Sequence, residues 1–467
     1  MKKICLYILL FAVNMLNAQP LSQRLDALVG SETLKTSEIG VTVFDLTEGR
    51  SLYDYQSEKL YRPASIEKII TSVTTLARLG ENYTFDTQLR YTGTIRQDTL
   101  FGNLYVIGGF DPLFGDEDLG HLADAIRGVG IRYIADTLAA DVSMMDSLYW
   151  GPGWSWDDTP SSFQPYLSPL MLNQGCVDIT VTPQEKGTAA IVECSPRSDY
   201  YQVNNQTVSL DPSAGKLNIT RNWLSNGNQI TVMGNVPRVS KSTINVVSSQ
   251  DFFMRTLVNR LEERGIGVAN SDYGECPVST DSIPVTPIIR LSRPLREVLK
   301  EALKESNNLC AEAMFYHIAK GQFSKKRIGS ADGTDAINSF MNGAIGMNPD
   351  HFNIVDGSGV SLYNYVSPKL MLEYLKYAYY HRPVFLPLYE SLPIAGVDGT
   401  LRNRMKGTAA ANNVHAKTGS VKGVSSLAGY VKARNGHELA FVIINQNIMQ
   451  LSKARDMQDK ICVELAK

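Results

Sequence analysis

Between residues 39 and 55 the chain reads IGVTVFDLTEGRSLYDY, with apolar and polar positions alternating around Thr47-Glu48-Gly49. Period-two alternation broken by a glycine turn predicts a β-hairpin. The period then changes. Ile66, Ile69, Ile70, Val73, Leu76, Ala77 and Leu79 recur at helical spacing until Gly80. That predicts an amphipathic helix, with Pro63 just outside it and Ser65 as its N-cap. From 86 to 244, short apolar runs such as GNLYVIGG, YYQVNNQTVSL and NQITVMGNV alternate with turn signals, which predicts a β-rich insertion of two small subdomains. Helical spacing returns over Asp251–Arg264, Leu295–Glu305 and Ala311–Ala319, and Ser306-Asn307-Asn308 falls at the corner between the last two. Residues 413–421, 425–433 and 439–447 read as antiparallel strands, the last two joined by an Asn435-Gly436 turn. Ser452–Leu465 reads as a closing helix. The expected fold class is therefore α+β. One mixed domain, built from residues 19–85 and 245–467, is interrupted by the β-rich insertion 86–244.

Composition narrows the function classes. A chain of 467 residues with 43% apolar content can bury more than one core. A net charge of −2 with acids and bases well mixed argues against nucleic acid as a partner. Lys2 and Lys3, an apolar stretch Ile4–Val13 and a small Ala18 predict a secretory signal peptide over residues 1–18. Cys5 lies inside the apolar stretch, which argues against a lipid-anchored cysteine. No later run is long enough to span a bilayer, so an exported protein without a transmembrane anchor is expected. Export permits disulfides, and Cys176 with Cys194 is the first candidate pair; burial as free, small apolar residues is the equal alternative. The scattered histidines and cysteines support neither a metal site nor a cofactor.

The candidate chemistry begins at RPASIEKIIT, residues 62–71. Ser65 and Lys68 stand at i and i+3, on one face of a helix start. A serine becomes a nucleophile when a base lies beside it and a donor site awaits the oxyanion. A lysine becomes that base when burial or a second cation lowers its proton affinity, and Lys417 is the candidate second cation. Ser-x-x-Lys alone is common. Here Ser306-Asn307-Asn308 supplies Ser-x-Asn at a helix corner, and Lys417-Thr418-Gly419 supplies Lys-Thr-Gly on a strand. The three motifs in this order are those of the penicillin-recognising serine enzymes.

Longer blocks sharpen the resemblance. ASIEKIITSVTTLARLG (64–80), GGFDPLFG (108–115), GPGWSWDD (151–158), SPLMLNQ (168–174), ESNNLCAEAM (305–314), DGSGVSLYNYVSP (356–368), AGVDGTLRNRM (395–405) and AKTGSVKGVSSLAGYV (416–431) follow in order. Together they resemble the D-alanyl-D-alanine carboxypeptidases of the class C low-molecular-mass penicillin-binding proteins. The separation of Lys68 from Ser306, 306 − 68 = 238 positions, suits that group, whose members carry a large insertion between the first two motifs.

The resemblance implies a penicillin-binding (transpeptidase-like) domain and acyl transfer. Ser65 attacks the carbonyl between two D-alanines, Lys68 takes its proton, and Ser306 and Lys417 pass that proton to the leaving D-alanine. Asn308 orients Lys68. The N–H groups of Ser65 and Ser420 form the oxyanion hole, while Thr418, Gly419 and Ser420 hold the terminal carboxylate. Peptidoglycan stem peptides are the implied substrates, with β-lactams as covalent inhibitors and a periplasmic location. Asp141 matches a family position that can bind a free amine of the stem peptide; a turn residue is the alternative. Where relatives often carry Arg after the GSG-x-S segment, this chain has Leu362. Lys422 reads as a solvated lysine, Gly357 and Gly359 as turn residues, and Cys310 as buried. Trp150, Trp154 and Trp156 fit a substrate groove or, by preference, the packing between domains. A β-lactamase and a non-catalytic cell-wall binder are the competing readings. The first lacks a convincing deacylating Glu, and the second has no need of all five motif side chains.

Overall fold

The chain is described by a computed structural model covering residues 19–31, 35–272, 276–278, 284–323 and 327–467. The expected signal peptide, residues 1–18, lies outside the described residues.

The predicted hairpin forms from strands Glu38–Asp45 and Arg50–Tyr55. Its first strand pairs with Glu438–Gln446, which pairs with Val424–Lys432, which pairs with His415–Val421. The two ends of the chain thus close one five-stranded antiparallel sheet. Val424–Lys432 is buried at every position but its last, because both faces of the sheet are covered. The terminal helices Leu21–Val29 and Leu451–Leu465 cover one face around Leu25, Leu427, Ile443 and Ile461. The other face packs against helices Glu67–Leu79, Pro368–Tyr380 and Arg382–Ser391.

The central helix, Glu67–Leu79, differs from its prediction in two ways. Its residues 67–76 are all buried, so it has no solvated face. Three of its threonines are satisfied internally, Thr71 donating to the Gly357 carbonyl, Thr74 to Ile70 and Thr75 to Thr71, whereas Glu67 and Ser72 are buried without a partner. Ser65 is also not its cap. It sits within a tight turn, Ala64–Ile66, that runs straight into the helix, and no side chain caps the junction. Ala64 holds a positive φ of 50° there. This is uncommon for a residue with a Cβ and marks a backbone held by its surroundings.

Within the insertion lie a seven-stranded mixed sheet and two three-stranded sheets. The larger sheet also takes in Gly267–Asp272 and Thr286–Pro294, from beyond residue 244. One small sheet holds Cys176–Thr182, Ile191–Ser195 and Ser240–Asn245; the other holds Gln202–Val208, Leu217–Arg221 and Gln229–Asn235. No helix among the described residues is long and apolar enough to cross a membrane.

Cys176 and Cys194 are not bonded; all five described cysteines are free. The register explains it. Cys194 faces Ile179, whereas Cys176 lies 179 − 176 = 3 residues further along and pairs with Asn245 on the other neighbouring strand. A reducing agent is therefore expected to leave the melting temperature unchanged, which differential scanning calorimetry with and without dithiothreitol checks. Cys310 is fully buried, as anticipated. Of the three tryptophans, only Trp154 is buried at the join, donating its Nε1–H to Asp356.

Candidate active site

Three local structures converge on Ser65. The first is the turn that carries it. The second is the corner between helices Leu295–Lys304 and Asn308–Gln322. Ser306 adopts φ 62° at that corner, and Asn307 caps the next helix through the Cys310 amide. This cap starts the helix at Asn308, ahead of the expected Ala311. The third is the edge strand His415–Val421. A Cβ on Gly419 would lie 3.0 Å from the Ser65 amide nitrogen and 2.8 Å from the Pro63 carbonyl. Only glycine lets the strand backbone approach the Ser65 turn this closely.

Lys68 is fully buried, and its Nζ reaches Ser65 Oγ at 3.0 Å, Asn308 Oδ1 at 2.7 Å and the Ser358 carbonyl at 2.7 Å. Lys417, also fully buried, donates to Ser306 Oγ at 2.8 Å and to the Thr418 carbonyl at 2.8 Å. The motif side chains therefore form two lysine–hydroxyl pairs, Lys68 with Ser65 and Lys417 with Ser306, and Asn308 holds Lys68. The Ser358 carbonyl was not foreseen; its segment had read only as a turn. Gly359 has φ +80°, and a Cβ there would meet the Ala64 carbonyl at 2.0 Å. That glycine lets the 356–359 loop close over Lys68.

Burial brings the Lys68 ammonium down to about 8, against the opposing pull of Asp356 and Glu312. Lys417 is pushed well below its ordinary value by burial and then by the charge of Lys68. Burial is the largest cause for both lysines, and the repulsion between the two ammonium groups adds to it. A lysine near 8 keeps a usable neutral fraction at neutral pH, so it can accept the Ser65 proton.

Glu67 was passed over in the sequence. Both its carboxyl oxygens are buried without a hydrogen-bond partner, and burial, then Asp356, raise its proton affinity strongly. Glu312, whose Oε2 accepts the Gly357 N–H, is raised to about 8 by burial. A buried unpaired carboxyl takes the neutral form rather than carry charge. Glu67→Gln is accordingly expected to move the acid limb of the acylation pH profile by less than about half a unit. A downward shift of a full unit in stopped-flow acylation would mean that Glu67 is ionised beside Lys68.

The cleft above Ser65 has a volume of about 550 Å³ and is lined by Arg62, Asp157, Asp158, Phe163, Leu362, Ser420 and Lys422, among others. Asp141 is not among them. It is buried at the end of strand Tyr133–Asp141, where it accepts from Ser143 and the Val278 amide. The carboxylates in the cleft are instead Asp157 and Asp158, from the 151–158 block. Arg62 brings a cation beside Leu362, donating to its carbonyl at 3.1 Å, and Lys422 lines the cleft rather than pointing away from it. At the Lys-Thr-Gly strand, Thr418 Oγ1 donates to Thr400 at 2.8 Å, and Arg455 donates to Ser420 Oγ at 3.3 Å. Arg455 comes from the closing helix, outside every motif named in the sequence. The insertion braces the corner: Asn308 donates to the Phe163 carbonyl at 2.8 Å and Asn307 to Gln174 at 2.7 Å.

A helix-borne Ser-x-x-Lys, an interhelical Ser-x-Asn and an edge-strand Lys-Thr-Gly around one cleft define a penicillin-recognising serine hydrolase fold. The comparisons agree. The model of the D-Ala-D-Ala carboxypeptidase 3 (S13) family matches residues 21–467, and the chain belongs to that family. It is 29% identical over 471 aligned positions to the D-alanyl-D-alanine carboxypeptidase of Actinomadura sp. strain R39, covering 96% of this chain and 84% of that protein. Its fold matches the crystal structure of penicillin-binding protein 4 from Haemophilus influenzae with a TM-score of 0.82 at 25% identity, covering 95% of this chain and 99% of that one. The same protein complexed with a β-lactam matches with a TM-score of 0.76 at 24% identity, over 95% and 99% of the two chains. The chain is thus a serine-type D-Ala-D-Ala carboxypeptidase.

Proposed function

We propose that this carboxypeptidase removes the terminal D-alanine of peptidoglycan stem peptides through an acyl-enzyme on Ser65. The observation that carries the reading is the pair of contacts from Lys68 Nζ to Ser65 Oγ and Asn308, with Lys417 held on Ser306 alongside. Neutral Lys68 takes the Ser65 proton as Oγ bonds to the carbonyl carbon. The Ser65 and Ser420 N–H groups receive the oxyanion. Ser306, held by Lys417, relays the proton to the leaving D-alanine nitrogen, and water then hydrolyses the ester. Thr418 and Ser420, with Arg455 behind them, receive the terminal carboxylate. Asp157 and Asp158, in place of Asp141, suit a free amine on the stem peptide.

The same chemistry accepts a longer leaving group, so DD-endopeptidase cleavage of cross-links is part of the proposal. Penicillin would acylate Ser65 by the same route. An exported, periplasmic protein fits such a substrate. The test is D-alanine release from a D-Ala-D-Ala pentapeptide, and cleavage of a cross-linked muropeptide dimer followed by mass spectrometry. Release from both is expected. Rapid penicillin turnover without D-alanine release would overturn the reading in favour of a β-lactamase.

A further inference from the structure

Beside the catalytic cleft lies a second groove, of about 230 Å³, between the 150–166 segment and the 223–226 turn of the insertion. Its walls are aromatic. The Trp156 and Trp223 rings lie 5.2 Å apart, tilted by 41°, and Trp150 and Tyr166 lie 5.0 Å apart, tilted by 47°. Trp156 is 67% exposed and Leu224, at the rim, 77% exposed. Aromatic and leucine side chains left this open in a concave site mark a surface that something covers.

The presenting turn is built to be rigid. Arg221 is buried and donates to Asn245 and to the Gly227 carbonyl, with its guanidinium 5.9 Å from the Tyr166 ring centroid. Asn222 Oδ1 accepts the Gln229 amide and fixes the other side of the turn. Trp223 and Leu224 are therefore held outward rather than left loose.

Two observations choose the occupant. First, one turn serves both cavities: Ser155, Asp157 and Asp158 line the cleft, while Trp156 between them lines the groove. Second, no charged side chain lines the groove, and its polar groups are neutral, Thr159 and Asn226 among them. The cleft next to it carries Arg62, Asp157, Asp158 and Lys422. A ligand that is charged in the cleft and uncharged with flat apolar faces in the groove is a peptide joined to a sugar. We infer that the Trp156–Trp223 groove binds an N-acetylated sugar ring of the glycan strand that bears the stem peptide. The inference rests on the stem-peptide reading above, and it gives the insertion a role in choosing glycan-linked over free peptide.

The test compares a disaccharide-linked pentapeptide with the free pentapeptide, using wild type, Trp223→Ala and Leu224→Ser. Wild type is expected to favour the glycan-linked substrate by about tenfold in kcat/KM, the worth of one good aromatic contact. Trp223→Ala should remove that preference through KM, with kcat and the rate on free pentapeptide unchanged. Leu224→Ser, at a highly exposed position, should weaken it in the same direction and guards against a folding artefact. A peptide-free N-acetylglucosamine tetramer should quench tryptophan fluorescence of wild type and not of Trp223→Ala. Equal activity of wild type on both substrates, or no response to the tetramer, would overturn the inference. Failure of wild type to release D-alanine from either substrate would instead sink the stem-peptide reading.

Discussion

Ser65→Ala is expected to lower D-alanine release by about 10⁴-fold or more, the range seen when a hydrolase loses its nucleophile. The size follows from the geometry. Ser306 Oγ is engaged by Lys417, and Lys68 has no other hydroxyl within bonding reach among its hydrogen-bond partners. Nothing nearby can replace the missing Oγ. Donors for the oxyanion and the terminal carboxylate remain, so substrate affinity should survive while turnover fails. Ser65 is only half-buried, and the variant gives up one hydrogen bond to Lys68. Its melting temperature should therefore stay close to wild type, and an inactive but folded protein is the expected pairing. Single-turnover release of D-alanine, read beside a thermal melt, measures both.

Lys68→Met is the second large effect, and it should separate activity from stability. Removing a general base costs about 10²- to 10⁴-fold. Before that, the wild-type profile itself is informative. Lys68 titrates at about 8 instead of 10.5 because of burial, so the acylation rate should climb with pH and level off above about 8. The methionine variant should lack that limb. Stability moves the other way. The folded state binds the Lys68 proton less tightly than the unfolded state does. The cost of burying the charge is fully present below about 8 and is relieved as pH rises towards 10.5. At one unit per 1.36 kcal/mol that cost is roughly 3 kcal/mol. Methionine removes it, at the loss of three hydrogen bonds. The melting temperature of Lys68→Met should match or exceed that of wild type near neutral pH, and the gap should narrow towards pH 10. A variant that melts far lower at all pH values would show that the ammonium stabilises the fold.

Much of the site was legible because acyl transfer demands particular groups. Ser65, Lys68, Ser306, Asn308 and Lys417 each sit in the local context their motif required, and the Asn435-Gly436 turn and closing strands formed as the alternation foretold. What failed to show was context supplied from far along the chain. The polar residues of the central helix read as a wet face, yet Thr71 is held by Gly357, 286 positions away. Ser65 read as a helix cap because cap residues are recognised by type; the tight turn that replaces the cap is imposed by Gly359 and Gly419 packing against it. Asp141 was assigned by its place in the chain, whereas the cleft takes Asp157 and Asp158 from a loop tied to the catalytic corner through Phe163 and Trp154. Arg62 stood in plain view inside RPASIEKIIT, but nothing local announced that it would meet Leu362.

The most direct test of a Ser65 acyl-enzyme is mass spectrometry of the protein after incubation with benzylpenicillin, followed by peptide mapping. A single penicilloyl group on the peptide containing Ser65, stable enough to isolate and absent from Ser65→Ala, is the predicted result. Attachment at Ser306 or any other residue, or no adduct on the folded wild-type protein, would contradict it.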